Sequence, residues 1–361
     1  MRVLIAPDKF AGTLTAVEAA EAIAAGWRRR APADEVDLAP MADGGPGFVD
    51  VLHTALGGDL LAVTVRGPLG EPTPATVLMD GTTAYIEAAQ ACGLHLTRRE
   101  RPEEATTYGV GELLLAAVEA GATKVVVGLG GSGTSDGGAG LLAALGATAD
   151  RPLDAGAAGL AGITKVELPA FDVELVAASD VDNPLTGLFG AAKVFGPQKG
   201  VAEDRLPELD GRLEELAAAT DRRISLEKGA GAAGGLGFAL LLLGGSREPG
   251  IALVADAVRL AERARAADLI ITGEGAFDFS SRSGKVPYGV AEIAGAALRP
   301  QLRRSRPVRR CGPPTNSERS LTTPPTADTY RRGSSSPRQA ADAAKASGSS
   351  GPMSTSTPAP R

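Results

Sequence analysis

Acidic, basic and glycine residues cluster in loops that follow five predicted strands. The five loops are Asp8-Lys9, Asp43-Gly44-Gly45, Ser132 to Gly138, Asp180 to Asn183 and Glu274 to Asp278. In open α/β sheets ligands bind outside the carboxyl ends of the strands, so loops of this kind can line one crevice. Asp, Asn and Gly are also common turn formers, which is the simpler interpretation of any single loop. All five loops together indicate a ligand site.

The run GLGGSGTSDGGAG is the densest group of glycines in these loops. Its Gly128-x-Gly130-x-x-Gly133 spacing matches a dinucleotide fingerprint, but no credible strand ends in an acidic residue about 20 positions later. Nicotinamide binding is therefore the weaker interpretation, and a Walker A loop is excluded because no Lys-Ser/Thr follows. Clustered glycines do let backbone N–H groups approach phosphate oxygens. Ser132, Thr134 and Ser135 would add hydroxyl donors, so the run predicts an anion-binding loop.

An acidic protein that binds an anion needs local positive charge or a metal. Four lysines lie in the Gly-rich or acidic loops, namely Lys9, Lys193, Lys199 and Lys285, although each alone is more often a surface lysine. Lys199 stands out because the glycines and proline of FGPQKG fix an irregular loop. Asp180 and Asp182 alternate at a predicted strand end, and carboxylate oxygens suit Mg²⁺ held together with phosphate. Turn capping explains this pair of aspartates equally well.

The elements that must position these loops follow a strand–loop–helix pattern. A buried strand is predicted over Arg2 to Ala6, and Thr15 with Glu18 fits a capping box at the start of a helix. A second helix is predicted to end at Gly57. Between Leu61 and Glu87, three strands are separated by short Gly/Pro turns, which favours antiparallel pairing. Strand–helix alternation then returns.

This pattern predicts an α/β fold with two domains. We expect residues 1–60 and 265–300 to form a Rossmann-like parallel three-layer domain, into which a second α/β domain of residues 61–264 is inserted. Residues 301–361 carry 11 Lys+Arg against 3 Asp+Glu, with 9 Pro and 11 Ser. Such a composition buries too little apolar surface to offset the entropy of ordering, so a disordered Arg/Ser/Pro-rich tail is expected.

Composition excludes several classes of protein. The 361 residues carry a net charge of −6, and the basic tail makes the rest more acidic still, which argues against a nucleic-acid partner. Two cysteines, Cys92 and Cys311, cannot form a disulfide framework, so a reducing, cytoplasmic location is expected. The longest apolar run, FALLLLGG, is too short to cross a bilayer, and no membrane partner is expected. The oligomeric state stays open.

Ten stretches of the sequence resemble glycerate kinases of the type 1 family, in the family's order. They are APDKFAGTLTA, MADGGPGFVD, VRGPLGEP, IEAAQACGL, TYGVGELL, GLGGSGTSDGGAGLLAALGA, SDVDNPLTG, FGPQKG, GAGAAGGLGFAL and ITGEGAFDFSSRSGKVPYGVA. Any one stretch is weak, but together they are highly specific and span Met1 to about Leu298. This chain has Pro46, Ala276 and Ser283 where the family usually has Glu, Arg and His. After Pro300 nothing resembles the family, and the abrupt change suggests a shifted reading frame.

The resemblance implies a kinase that uses ATP and Mg²⁺ to phosphorylate D-glycerate, with 2-phosphoglycerate the favoured product. We assign catalytic roles to Asp8, Lys9, Asp43 and Lys285, and leave open whether Asp8 or Asp43 is the general base. Substrate- or phosphate-binding roles are assigned to Gly44, Gly45, Gly130, Gly131, Ser132, Thr134, Asp136, Gln198, Lys199, Gly273, Glu274 and Asp278. Asp180 and Asp182 are the assigned metal ligands. Lys199 and Lys285 are expected to neutralise phosphate or the glycerate carboxylate.

Two other functions remain open at this point. The altered ending favours a catalytically impaired, ligand-binding product of a truncated or frameshifted kinase. A nicotinamide-dependent dehydrogenase is the weaker alternative. Release of ADP in the presence of D-glycerate discriminates the first from an active kinase, and titration of nicotinamide fluorescence tests the second.

Overall fold

The computed structural model describes the backbone of residues 1–10, 12–276 and 285–302, and side chains in these ranges up to Ala297. Within these ranges the strands are β1 (Arg2–Ile5), β2 (Glu35–Leu38), β3 (Asp59–Arg66), β4 (Pro72–Asp80), β5 (Thr83–Glu87), β6 (Lys124–Gly128), β7 (Thr148–Ala149), β8 (Val166–Glu167), β9 (Glu174–Ala178), β10 (Ser246–Glu248) and β11 (Leu269–Ile271). The α-helices there are α1 (Ala16–Arg30), α2 (Phe48–Leu56), α3 (Ala89–Cys92), α4 (Leu94–Thr97), α5 (Tyr108–Glu119), α6 (Ala139–Ala144), α7 (Ala191–Phe195), α8 (Leu206–Ala219), α9 (Leu236–Leu242), α10 (Gly250–Ala257), α11 (Leu260–Ala266) and α12 (Val286–Leu302). The predicted tail lies outside the described residues from position 303 onward.

The boundaries of the first two helices follow from local hydrogen bonds. At the start of α1, the Glu18 N–H donates to Thr15 Oγ1 over 3.1 Å, and the Thr15 N–H donates to Glu18 Oε2 over 2.8 Å. This reciprocal pair is the predicted capping box. At the end of α2, the Gly57 N–H donates to the His53 carbonyl with φ +74°, a backbone conformation that glycine adopts at little cost. Both predicted helix ends are confirmed.

A three-stranded parallel sheet has the order β11-β1-β2. Val3 of β1 pairs with Leu269 of β11 on one side and with Val36 of β2 on the other. Val3, Leu4 and Ile5 are fully buried, as expected for a central parallel strand covered on both faces. A strand from the end of the described chain therefore pairs with the first strand. A discontinuous domain requires this pairing, but the division into two domains stays a prediction.

A six-stranded mixed sheet has the order β10-β9-β6-β5-β4-β3. β3, β4 and β5 pair in antiparallel fashion, as the short Gly/Pro turns predicted. β5, β6, β9 and β10 run parallel to one another. Alternate residues of β6 enter different cores: Val126 packs in the core that contains α2 and α10, and Val125 in the core that contains α5. With the β7–β8 pair, the fold is a mixed α/β structure with several sheets.

The loops that follow the parallel strands are joined by backbone hydrogen bonds. The Asp8 N–H donates to the Gly273 carbonyl over 2.8 Å, which connects the loops after β1 and β11. The Gly130 N–H donates to the Gly44 carbonyl over 2.9 Å, which connects the loops after β6 and β2. The carboxyl ends of strands from both sheets therefore meet, as the strand-end rule predicts. No helix within the described ranges has the length and apolar character needed to cross a membrane.

Candidate active site

Lys9 lies between two carboxylates that come from different strand ends. Its Nζ is 3.4 Å from Asp8 Oδ1 and 3.8 Å from Asp43 Oδ1. The Lys9 backbone N–H also donates to Asp8 Oδ1 over 2.7 Å, and the Gly45 N–H donates to Asp43 Oδ1 over 3.1 Å. No described residue donates to the second oxygen of Asp8, Oδ2. The structure thus brings together the predicted pairs Asp8-Lys9 and Asp43-Gly45.

Burial controls the charge state of Asp8. The residue is only 5% exposed, and this burial, with a contribution from nearby Asp43, raises its pKa to about 6 against the opposing effect of Lys9. Burial alone would lower the pKa of Lys9, but Asp43, Asp8 and Glu87 outweigh it and hold the pKa above its usual value. At neutral pH this region therefore holds an ionised lysine beside an aspartate that can take up a proton.

A cavity of about 290 Å³ opens onto this pair. It is lined by Asp8, Lys9, Asp43, Glu274, Gly275, Ala276 and Lys285. Lys285 Nζ is 3.7 Å from Glu274 Oε2. The other oxygen of Glu274, Oε1, is buried and has no hydrogen-bond partner among the described residues. A buried carboxylate oxygen of this kind is costly unless a donor satisfies it, so it indicates a place for a ligand hydroxyl.

Glycines allow the loop after β6 to pack directly on the loop after β2. A Cβ atom at Gly130 would lie 2.5 Å from the Cα of Gly45, and one at Gly131 would lie 2.7 Å from Pro46. Gly131 also has φ +78°, which favours glycine. The Gly130 N–H is already bonded to Gly44, and the Gly133 N–H donates to the Cys92 carbonyl over 2.7 Å.

The second half of the Gly-rich run turns away from the cavity and is buried. Asp136 is fully buried and accepts hydrogen bonds from the Thr107 N–H and Oγ1, both at 2.8 Å, and from the Gly138 and Gly140 N–H groups. Burial raises its pKa even against these bonds. Asp136 therefore holds the loop to the start of α5. A direct contact between Asp136 and phosphate stays a prediction, which this burial disfavours.

Lys199 lies on the same buried side of the loop. It is 2% exposed, and its Nζ donates to the Thr134 carbonyl over 2.5 Å. Burial lowers its pKa to about 8. Thr134 Oγ1 is buried without a partner among the described residues, whereas Gln198, on the same turn as Lys199, is exposed. None of these three side chains lines the described cavity, and their predicted contacts with phosphate stay untested.

The two aspartates after β9 have different partners. Asp180 Oδ2 accepts a hydrogen bond from the Ile251 N–H at the start of α10 over 3.2 Å, and burial, with Asp43 nearby, raises its pKa to about 6. Asp182 is mostly exposed and pairs with Arg247 at 2.7 Å and Lys228 at 3.2 Å, and the hydrogen bond from Lys228 is the largest of the effects that lower its pKa. Among the described residues no group of three His, Cys, Asp or Glu side chains is placed to hold a metal. Cations engage both oxygens of Asp182, which disfavours a shared Mg²⁺ site, and the assignment of Asp180 and Asp182 as metal ligands stays a prediction.

A substitution at Asp182 tests this conclusion. We expect Asp182→Asn to leave the Mg²⁺ concentration for half-maximal turnover of ATP and D-glycerate, the expected substrates, unchanged, because Asp182 already has two cationic partners. Thermal unfolding should show a loss of less than about 1 kcal/mol, the usual value of an exposed ion pair. A clear rise in the Mg²⁺ requirement would restore Asp182 as a metal ligand.

Sequence reasoning missed one buried acid beside this site. Glu87 ends β5 and accepts a hydrogen bond from the Gly47 N–H over 2.9 Å, directly after the Asp43–Pro46 loop. Its signal was available, since it too lies at the carboxyl end of a parallel strand. It was overlooked because no glycine or second acid accompanies it in the stretch IEAAQ. Of the predicted residues, Asp278 lies outside the described ranges, and Gly273 contributes its carbonyl to the Asp8 N–H.

Comparison with known proteins identifies the family of this chain. The chain matches the family model described as "Glycerate kinase family" over residues 3–302. It is 43% identical to a glycerate kinase of Bacillus subtilis over 312 residues, which cover 81% of this chain and 82% of that protein. It is 40% identical to glycerate 2-kinase of Escherichia coli over 320 residues, 84% of each chain. A crystal structure of a candidate glycerate kinase 2 from Salmonella typhimurium superposes with a TM-score of 0.71 at 39% identity, over 82% of this chain and 84% of that one. The chain belongs to the glycerate kinase family.

Proposed function

We propose that this chain transfers the γ-phosphoryl group of ATP to D-glycerate in the cavity that Asp8, Lys9, Asp43, Glu274 and Lys285 line. The observation that carries the proposal is the meeting of two lysines and three carboxylates in one cavity at the strand ends. Phosphoryl transfer depends on positioning and on neutralising charge, and the two ammonium groups supply that neutralisation. Family membership supports the use of ATP.

Asp8 is the general base in this proposal, and Asp43 orients Lys9. Asp8 Oδ1 is held by Lys9, which leaves Oδ2 to accept the proton of the substrate hydroxyl. As the proton moves to Asp8, the hydroxyl oxygen bonds to the γ-phosphorus and the bond from that phosphorus to the ADP oxygen breaks. A base works best with a pKa close to the working pH, and burial moves Asp8 in that direction.

Binding of the two substrates is assigned to different edges of the cavity. Lys285 neutralises the glycerate carboxylate, and the unpartnered Glu274 Oε1 accepts a hydrogen bond from a glycerate hydroxyl. The Gly131 and Ser132 N–H groups bind phosphate oxygens, since the neighbouring Gly130 and Gly133 N–H groups are already bonded within the protein. Mg²⁺ is the expected companion of ATP, but Asp180 and Asp182 together are not its site in this proposal.

The nicotinamide alternative receives no support from the Gly-rich loop. In a dinucleotide fold the fingerprint opens directly into a helix, whose N-terminus receives the pyrophosphate. Here Gly133 is followed by five further loop residues, and α6 starts only at Ala139. The loop instead packs on Gly44 to Pro46, the residues that follow the cavity-lining Asp43.

The decisive experiment is a steady-state assay with ATP and D-glycerate, read by ADP release and by ³¹P NMR of the product. We expect glycerate-dependent ADP release and 2-phosphoglycerate, the isomer that the glycerate 2-kinase relative supports. Signal from 3-phosphoglycerate would reassign the reacting hydroxyl. ATP binding without glycerate-dependent turnover would favour the catalytically impaired alternative.

The pH profile tests the assignment of the base. Because the pKa of Asp8 is about 6, its base form is lost below that pH. We expect kcat/KM for glycerate to fall about tenfold per pH unit below about pH 6. A profile that stays flat to about pH 4, the usual range of an aspartate, would contradict the role of Asp8.

The proposal also includes the division into domains and the cellular location. We keep the division into a discontinuous Rossmann-like domain of residues 1–60 and 265–300 and an inserted domain of residues 61–264, which the β1–β11 pairing supports. A cytoplasmic location is kept on the low cysteine content.

A further inference from the structure

Glu87 is a buried carboxylate that bonds to the end of the loop carrying Asp43. It is 5% exposed and does not line the cavity. It ends β5, where Gly128 of β6 lies opposite it in the sheet. Because Glu87 does not line the cavity, its effect on the reaction is assigned to its contacts with neighbouring residues.

Those neighbours belong to the catalytic loops. Glu87 Oε2 accepts the Gly47 N–H over 2.9 Å, and the Phe48 and Val49 N–H groups contribute to lowering the pKa of its carboxylate. Gly47 precedes α2, has φ +93°, and provides no side chain to cap that helix. Glu87 therefore takes the place of a helix cap. It fixes the point at which the Asp43–Gly47 loop enters α2.

Glu87 also acts on the charge of Lys9. It is one of three carboxylates, with Asp43 and Asp8, that hold the pKa of Lys9 above its usual value. The other charged group that faces Glu87 is Asp50 on α2, which opposes its ionisation. Of these three carboxylates, Glu87 makes the smallest contribution to the pKa of Lys9.

We propose that Glu87 is a positioning residue for the phosphoryl transfer: it fixes the Asp43–Gly47 loop through the Gly47 N–H and places a negative charge at the N-terminus of α2. This inference rests on the function proposed above.

The carboxylate form of Glu87 has a cost for stability. Burial, with Asp50, raises its pKa to about 7, against the opposing backbone N–H groups. A folded-state pKa above the usual value of 4.5 means that the stabilising contribution is complete below pH 4.5 and is lost as the pH rises through 7. Ionised Glu87 therefore lowers the free energy of unfolding at pH 8. A helix cap alone does not need that charge.

Glu87→Gln separates the charge from the hydrogen bond, because its amide oxygen can still accept the Gly47 N–H. We expect kcat at pH 8 to fall about tenfold relative to the wild type. The difference should shrink towards pH 5.5, where wild-type Glu87 is protonated. The melting temperature of the variant should exceed that of the wild type at pH 8 and equal it at pH 5. A purely structural cap would give a ratio of kcat values that does not change with pH.

Two further measurements keep this test separate from the proposed kinase function. In ¹⁵N NMR of the wild type, the Gly47 amide should titrate near pH 7, and this change should vanish in Glu87→Gln. Glu112→Gln is the matched control, since Glu112 Oε2 accepts the Arg66 N–H over 2.6 Å away from the cavity, and its kcat should stay within twofold of the wild type. If the wild type is inactive with glycerate, the kinase proposal fails. The NMR and melting measurements still test whether Glu87 ionises and holds the Gly47 loop. An unchanged kcat in an active enzyme, or a Gly47 amide that does not titrate, would overturn the inference.

Discussion

Asp8→Asn is expected to lower kcat about 1,000-fold and leave the protein folded. The amide cannot take the proton of the glycerate hydroxyl, but its oxygen can still accept the Lys9 N–H that Asp8 now accepts over 2.7 Å. Because the folded-state pKa of Asp8 is about 6, above its usual 3.8, the ionised form destabilises the fold at pH 8. The melting temperature at pH 8 should therefore not fall. Both quantities are measured on the same preparation, kcat by ADP release and unfolding by calorimetry.

The comparison with Asp43→Asn makes this prediction specific. Asp43 lies 3.8 Å from Lys9 Nζ and binds the Gly45 N–H, so its replacement should disturb the position of Lys9 rather than remove the base. We expect a smaller loss of kcat than in Asp8→Asn. The fall of kcat/KM at low pH, the acid limb of the pH profile, should still follow the pKa of Asp8. If Asp43→Asn is the more damaging change and abolishes the acid limb, the roles of the two aspartates are reversed. If Asp8→Asn keeps activity within tenfold of the wild type, Asp8 is not the base.

Local patterns in the sequence predicted the elements well because few residues decide them. Thr15 and Glu18 satisfy each other's backbone N–H groups, so the start of α1 follows from four consecutive residues. The short turns between β3, β4 and β5 leave no room for a crossover helix, so antiparallel pairing follows from loop length. The strand-end rule predicted that Asp8, Asp43 and Glu274 lie close together, although the sheet order was unknown, and all three line one cavity.

The same rule does not say which side of a loop faces the ligand. Asp136, which belongs to the Gly-rich loop, and Lys199 follow the expected strands or glycines, yet both are buried, because the loop turns back towards α5 after Ser132. Asp182 shows a second limit. Its partner Arg247 lies on β10, more than sixty residues away, so the ion pair that occupies it depends on tertiary pairing alone. Glu87 needed similar knowledge, since only the packing of α2 reveals what it caps.

Lys9→Met is expected to reduce kcat about 100-fold, the usual effect of removing one group that stabilises charge in the transition state. Lys9 is also the main group that lowers the pKa of Asp8 against burial. Without it, Asp8 and Asp43 face each other with no shared cation, and the pKa of Asp8 should rise further. The acid limb of the pH profile should therefore move above pH 6 in this variant. The loss of kcat and the shift of the acid limb occur together because the same ammonium group stabilises the transition state and lowers the pKa of Asp8.

Two controls accompany Lys9→Met: one keeps the positive charge at position 9, and the other removes a lysine from an ion pair outside the cavity. Lys9→Arg keeps the positive charge and should recover part of the rate with an acid limb close to that of the wild type. Lys193 forms a comparable pair with buried Asp210 at 2.6 Å, outside the cavity. Lys193→Met should therefore lower the melting temperature while kcat changes less than about threefold. An acid limb that stays at pH 6 in Lys9→Met would show that Lys9 does not set the charge state of Asp8, and the assignment of Asp8 as the base would lose its electrostatic support.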